Sequence, residues 1–208
     1  VDPRTNKRWV FFGTGSYLTA GDGNDSGTNK QSMYGVIDDI GSTGSAYTRS
    51  NLTARAVTDG TGTDDDERYF ADLKNLTNNG WYVDLPAKGE RIVQNAQIDG
   101  SFLVTASMMP SGDSCDDALG SGYINAITPF PDMLASTTSY FDRDGAGGTD
   151  DVGTNGKPTG SIRTAGMPTL PLLLPGQLRV NTSSGLSTKL LKGQPLWNRV
   201  SWRELRND

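Results

Sequence analysis

Apolar and polar positions alternate over short stretches of this chain, and only one stretch holds a helical period. "RWVFFG" (Arg8–Gly13) and "MYGVID" (Met33–Asp38) are read as strands separated by a long polar loop. "GWYVDLP" (Gly80–Pro86) leads through "AKGE" into "RIVQNAQI" (Arg91–Ile98). Asp99-Gly100 then turns the chain into "SFLVTASMM" (Ser101–Met109), the strongest hairpin signal, because Asp-Gly suits a tight turn between twisted strands. "SGYINAITPF", "TTSYFD", "QLRVN" and "WNRVSWREL" continue the series. The exception is "DDDERYFADLKN" (Asp64–Asn75). There the leading acids suit a helix N-terminus and Tyr69, Phe70 and Leu73 share one helical face, which predicts a short helix.

The pattern predicts a single β-rich domain over residues 1–208, with long Gly/Asp/Ser-rich loops and one short helix. Composition agrees: 26 glycines and a hydrophobic fraction of 34% suit strands joined by polar loops better than a helical bundle. Four Trp, seven Tyr and six Phe argue against disorder. With a net charge of −5, the chain is not expected to bind nucleic acid or an anionic membrane surface. The longest apolar run, "MPTLPLLLPG", carries three prolines and falls short of the roughly 18 residues of a membrane span. "VDPRTNKRWV" reads as a start in mid-domain, consistent with an export signal removed upstream.

The chain contains no histidine and one cysteine. Catalytic systems built on Ser-His-Asp or Cys-His, and His-ligated zinc, are therefore excluded within it. Cys115 cannot form an internal disulfide, and acids flank it in "PSGDSCDDALGSG", which opposes thiolate formation. A bond to a cysteine outside the chain and a free thiol remain open.

Four segments in order resemble PilY-type type IV pilus biogenesis factors and tip adhesins, in their C-terminal part. They are "RWVFFGTGSYLTAGD", "QSMYGVIDD", "GWYVDLPAKGERIVQNAQIDGSFLVTASMMPSGDSC" and the terminal "RVSWREL", with the hairpin inside the third. The resemblance implies an all-β fold: the terminal blades of a β-propeller-like, quinoprotein-like domain that is longer than this chain. It also implies an extracellular, cell-surface, pilus-associated protein that is not an enzyme. Its partners would be pilin or minor pilin subunits, or the remainder of its own propeller. An alternative is a β-rich subunit that decorates or builds a filament shaft; a second is a secreted hydrolase on a β scaffold, for which 24 acids supply carboxylates but no marked pair.

Family members include some with calcium-binding aspartate loops. "SYFDRDGAGGTDDVG" offers a partial one: with Asp142 at position 1, Asp144 falls at 3, Gly147 at 6 and Asp150 at 9, while Ala146 takes the place of a ligand at 5. The expectation is Ca²⁺ at Asp142, Asp144 and Asp150, set against an acidic turn kept soluble by its charge. Asp64, Asp65 and Asp66 are read as helix capping. Asp22 and Asp25 in "GDGND" are read as an ordinary loop, and "FGTGSYLTAG" as a turn, since no third glycine or helix follows. Trp9, Trp81, Tyr82, Trp197 and Trp202 could form a carbohydrate platform; lying within strands, they are read as packing between sheets.

Overall fold

The computed structural model describes residues 1–18, 22, 30–38, 47–59, 67–74, 76–110, 120–133, 139–142, 152, 156–185 and 187–192. Three sheets hold its strands. The first combines β1 (Arg8–Gly13), β2 (Ser32–Asp38), β3 (Thr53–Ala54) and β6 (Gly80–Asp84) in the order β1-β2-β6-β3. The second contains β4 (Val57–Asp59), β5 (Glu67–Phe70), β7 (Gln97–Asp99), β8 (Phe102–Met109), β9 (Ser121–Ile127) and β11 (Ser161–Thr164), ordered β4-β5-β11-β9-β8-β7. The third joins β10 (Phe141–Asp142), β12 (Leu172–Leu174), β13 (Gln177–Asn181) and β14 (Ser187–Lys192) as β10-β14-β13-β12. A 3-10 turn at Arg49–Asn51 precedes β3. The pairing is antiparallel throughout except where β3 runs parallel to β6.

The sheets stack face to face because β8 and β9 are apolar on both sides. Leu103 and Ile127, cross-strand partners, point toward the first sheet and pack with Trp9, Met33, Trp81, Val83 and Phe130. The intervening positions Phe102, Val104, Ala106, Ile124 and Ala126 point the other way, onto Phe141, Leu178 and Val180 of the third sheet. A strand covered on both faces reads as a nearly continuous apolar run, which is the character of "SFLVTASMM".

Trp81 fixes the first interface. Its indole is wholly buried and donates to the Pro129 carbonyl at 2.9 Å. The ring lies across Gly35, its partner on β2, so closely that a Cβ there would sit 2.5 Å from ring carbon. Glycine at that position lets the indole lie flat on the neighbouring strand.

The hairpin forms one residue later than the Asp-Gly pair suggests. Asp99 pairs with Phe102, so the two-residue turn is Gly100–Ser101, with Gly100 at φ 59. Upstream, Arg91 bridges Met108, whereas Gln97 pairs with Val104. Five residues, 92–96, thus stand against three on β8, 105–107, and the excess of two forms an excursion in place of the continuous strand expected over Arg91–Ile98. That excursion delivers Ile92 into the first core, against Gly13.

The predicted helix over Asp64–Asn75 does not form. Glu67–Phe70 is a strand between β4 and β11, with Arg68 and Phe70 buried on one side. Two antiparallel neighbours and a buried ion pair outweigh the weak local helical preference. Asp64, Asp65, Asp66 and Asn75 lie outside the described residues.

Candidate functional site

Of the residues expected to bind calcium, only Asp142 is among those described. It closes the edge strand β10, opposite Leu191. Asp144 and Asp150 lie outside the described residues, as do Cys115, Trp197 and Trp202. Among the described residues, no three Asp, Glu or Cys side chains gather where a metal ion would sit. Asp22, read as an ordinary loop residue, accepts hydrogen bonds from the Ser16 hydroxyl at 3.2 Å and the Leu18 amide at 2.7 Å, fastening the segment after β1. "FGTG" is read as a turn, but Gly13 closes β1 and Gly15 lies in the irregular segment after it, the two packed against Ile92 and Arg91.

Trp9 and Trp81 are core residues, as read from the sequence, but Tyr82 is not. It stands on the outer face of the first sheet, in the cross-strand row Phe12–Tyr34–Tyr82. Phe12 and Tyr34 stack at 5.1 Å with their planes 12° apart, and Tyr34 meets Tyr82 at 6.1 Å. The Arg49 guanidinium lies 4.0 Å above the Tyr82 ring and completes the row. Val10 and Phe12 remain 48% and 43% exposed beside it, so this face is an apolar surface open to solvent. Phe12 and Tyr34 cover one another's ring faces and Arg49 covers that of Tyr82, so these faces are already engaged and the row suits contact with another protein surface better than stacking on a sugar.

A polar clamp orders one end of the row. Asp84 accepts from the Arg49 guanidinium at 2.6 Å and from the Ser32 hydroxyl at 2.5 Å. Partial burial pushes the Asp84 carboxyl up, but those two hydrogen bonds and the Arg49 charge outweigh it and hold the carboxyl below its ordinary value. Arg49 is held above its own, chiefly by the bond to Asp84. The 3-10 turn at Arg49–Asn51 aims this arginine, with the Asn51 side chain accepting from the Thr48 amide at 2.9 Å.

Between the first and second sheets runs a buried polar seam that the sequence did not disclose. Thr105, Asn125, Ser161 and Arg68 form a cross-strand row on one face. Arg68 meets Glu90 at 2.7 Å, and the Ser107 hydroxyl donates to the same Glu90 oxygen at 2.5 Å. Asn125 donates to Ser107 at 3.0 Å, and the Arg68 guanidinium lies 3.5 Å from the Tyr123 ring centre. These groups join distant stretches of chain inside the core, where none is placed to meet a ligand. A second buried cation, Arg55, donates to the Ala71 and Thr128 carbonyls at 2.5 and 2.7 Å, and burial pulls its pKa down.

No protein-family model matches the chain. It is 30% identical over 213 residues to the type IV pilus biogenesis factor PilY1 homolog of Xylella fastidiosa (strain Temecula1), an alignment covering 99% of this chain and 17% of that protein. Among solved structures, the PilY1 C-terminal domain of Pseudomonas aeruginosa superposes with a TM-score of 0.64 and 20% identity, over 92% of this chain and 43% of that one. The resemblance seen in the ordered segments therefore holds along nearly the whole chain. The fold is all-β and propeller-like, that of a PilY1 C-terminal domain, and this chain spans only a minor part of each relative's length.

Proposed function

We propose that this chain, related to PilY-type factors along almost its entire length, is an extracellular adhesion and assembly module of type IV pili. It acts through protein–protein contact rather than through catalysis. The observation that carries this reading is the 30% identity with a type IV pilus biogenesis factor across 99% of the chain. The open aromatic face of the first sheet supports it, because Val10, Phe12, Tyr34 and Tyr82 offer a preformed apolar contact surface. Its occupant would be a pilin or minor pilin, or a neighbouring sheet of the same propeller. Calcium at Asp142, Asp144 and Asp150 belongs to the same proposal as a modulator of the module.

Quantitative mass spectrometry of sheared, purified filaments, with antibody labelling in the electron microscope, tests the reading. Few copies per filament, with labelling confined to the ends, are expected of a tip component. Copies along the shaft near one per pilin would instead indicate a structural subunit, and absence from filaments would overturn both.

A further inference from the structure

At the end of the first sheet, opposite the Arg49–Asp84 clamp, lies a groove of roughly 570 Å³. Its polar walls include Asn6, Lys7, Arg8, Thr77, Asn79 and Tyr47, over a floor that includes Ile37 and Leu76. Both rims are braced. On one side the Asp2 carboxylate, fully buried, accepts from the Arg4 amide at 3.0 Å and the Thr5 hydroxyl at 2.6 Å, and the Asn6 amide donates to the Asp2 carbonyl. This turn holds Asn6 in a left-handed conformation, φ 54. On the other side Asn79 is bonded through both backbone groups, donating to the Asn51 carbonyl and accepting from the Ile37 amide.

The side chains differ from the backbone in this respect. Among the described residues, the Lys7 ammonium and the amides of Asn6 and Asn79 have no hydrogen-bond or ion-pair partner, and Arg8 reaches Asp38 only at 3.8 Å. Two cations against one acid make the groove locally positive in a chain whose net charge is −5. A preformed concavity with unengaged amides, a hydroxyl, a half-open tyrosine and surplus positive charge matches a ligand rich in hydroxyls that carries a carboxylate. A peptide adding as a strand would need free backbone groups, and those of Asn79 and Ile37 along the wall are already paired.

We propose that this groove binds an acidic saccharide, with the sugar carboxylate on Lys7 and Arg8, hydroxyls on Asn6, Asn79 and Thr77, and a ring against Tyr47. The proposal deepens the adhesion reading and rests on it for its biological use. Two sources share this chemistry, hexuronates and sialates, and the test separates them.

Calorimetric titration of the 208-residue chain would use oligogalacturonate, sialyllactose, the carboxyl-reduced form of each, and a hexaglutamate peptide. One acidic sugar is expected to bind, with its reduced form weaker by about tenfold or more, the loss of one charge-assisted hydrogen bond. Lys7→Glu should abolish binding, Lys7→Arg should retain it, and Asn79→Ala should weaken it, each variant keeping the parent circular dichroism. The proposal is overturned if the folded chain binds neither acidic sugar at millimolar concentration, if the reduced sugar binds equally well, if Lys7→Glu makes no difference, or if the peptide binds in preference. Filament labelling of cells carrying Lys7→Glu keeps the readings apart. Unchanged labelling with saccharide binding lost supports the groove independently of pilus location, and absence of the parent protein from filaments counts against the pilus reading alone.

Discussion

Arg68 on β5 and Glu90, which precedes the excursion beside β8, meet at 2.7 Å with 2% and 0% of their side chains exposed. The pair ties the second sheet to the segment that leaves the first, and Ser107 donates to the same carboxylate oxygen. Breaking a buried pair strands the surviving charge without solvent, whereas replacing both members with apolar groups does not. Glu90→Ala is therefore expected to cost about 3–5 kcal/mol in urea unfolding, and Arg68→Met with Glu90→Leu distinctly less. Equal losses from both variants would show that the pair carries no such penalty.

The contact of Trp81 with Gly35 predicts a second effect. Gly35→Ala places a methyl group inside the indole's own space, and the ring is held from moving by its bond to Pro129. Overpacking of this kind costs roughly 1–3 kcal/mol. Trp81 fluorescence should shift alongside the loss of stability, and an unshifted spectrum with parental stability would place the ring elsewhere.

Tyr140 joins the second and third sheets through its hydroxyl, which donates to Asp99 beside the hairpin turn at 2.7 Å. Tyr140→Phe should cost about 1.5–3 kcal/mol, the range for a hydrogen bond to a charged group. Burial first, then the bond to Asp99 and its negative charge, raise the phenol's pKa. The protonated phenol is thus favoured in the folded chain, so its contribution is complete below the unfolded value of about 10 and declines as pH rises past it. Denaturation between about pH 9 and 12 should show an alkaline decline that Tyr140→Phe reduces.

Among the described residues, Asp2 and Asp84 are the carboxyls held below their ordinary value. In each, burial pushes the carboxyl up and is outweighed: by Thr5 and Arg4 at Asp2, and by Ser32 and Arg49 at Asp84. A lowered folded pKa contributes stability above the unfolded value of about 3.9 and loses it as pH falls through the folded one. Unfolding free energy should therefore drop below about pH 4, less steeply in Asp84→Asn and least in the variant with Asp2→Asn as well.

Calcium binding at Asp142, Asp144 and Asp150 predicts a higher melting temperature in excess calcium than in chelator, and no such difference in Asp144→Asn with Asp150→Asn. Identical melting of the parent chain under both conditions would remove calcium from the proposal.

What the sequence disclosed follows the range of the interactions concerned. β1 appears at Arg8–Gly13 as read, because alternation and the flanking turn are local properties. The hairpin was legible from Asp99 and Gly100, although pairing moved the turn by one residue. The segment around Tyr69 was misread, since its strand state depends on β4 and β11, the latter some ninety positions away. β12 was hidden in a proline-flanked apolar run, where three leucines show no alternation to reveal their pairing with β13. Thr105, Ser107 and Asn125 looked like minor interruptions of apolar strands, and only Glu90 and Arg68, brought in from elsewhere, show that they form a seam. The groove was less legible still, because its walls come from four separate stretches of chain, none of which carries a motif.

The two outer faces of the stack are not alike. The first sheet presents Val10, Phe12 and the tyrosine row, whereas the face of β13 presents Gln177, Arg179 and Asn181. A further sheet laid on the first face would exchange water for carbon, and one laid on β13 would have to strip the hydration from a guanidinium. The β13 row is not wholly polar, since Leu172 stands opposite Arg179 and is 59% exposed, so the outer face of the third sheet sets a leucine beside a guanidinium where the first sheet sets aromatic rings side by side.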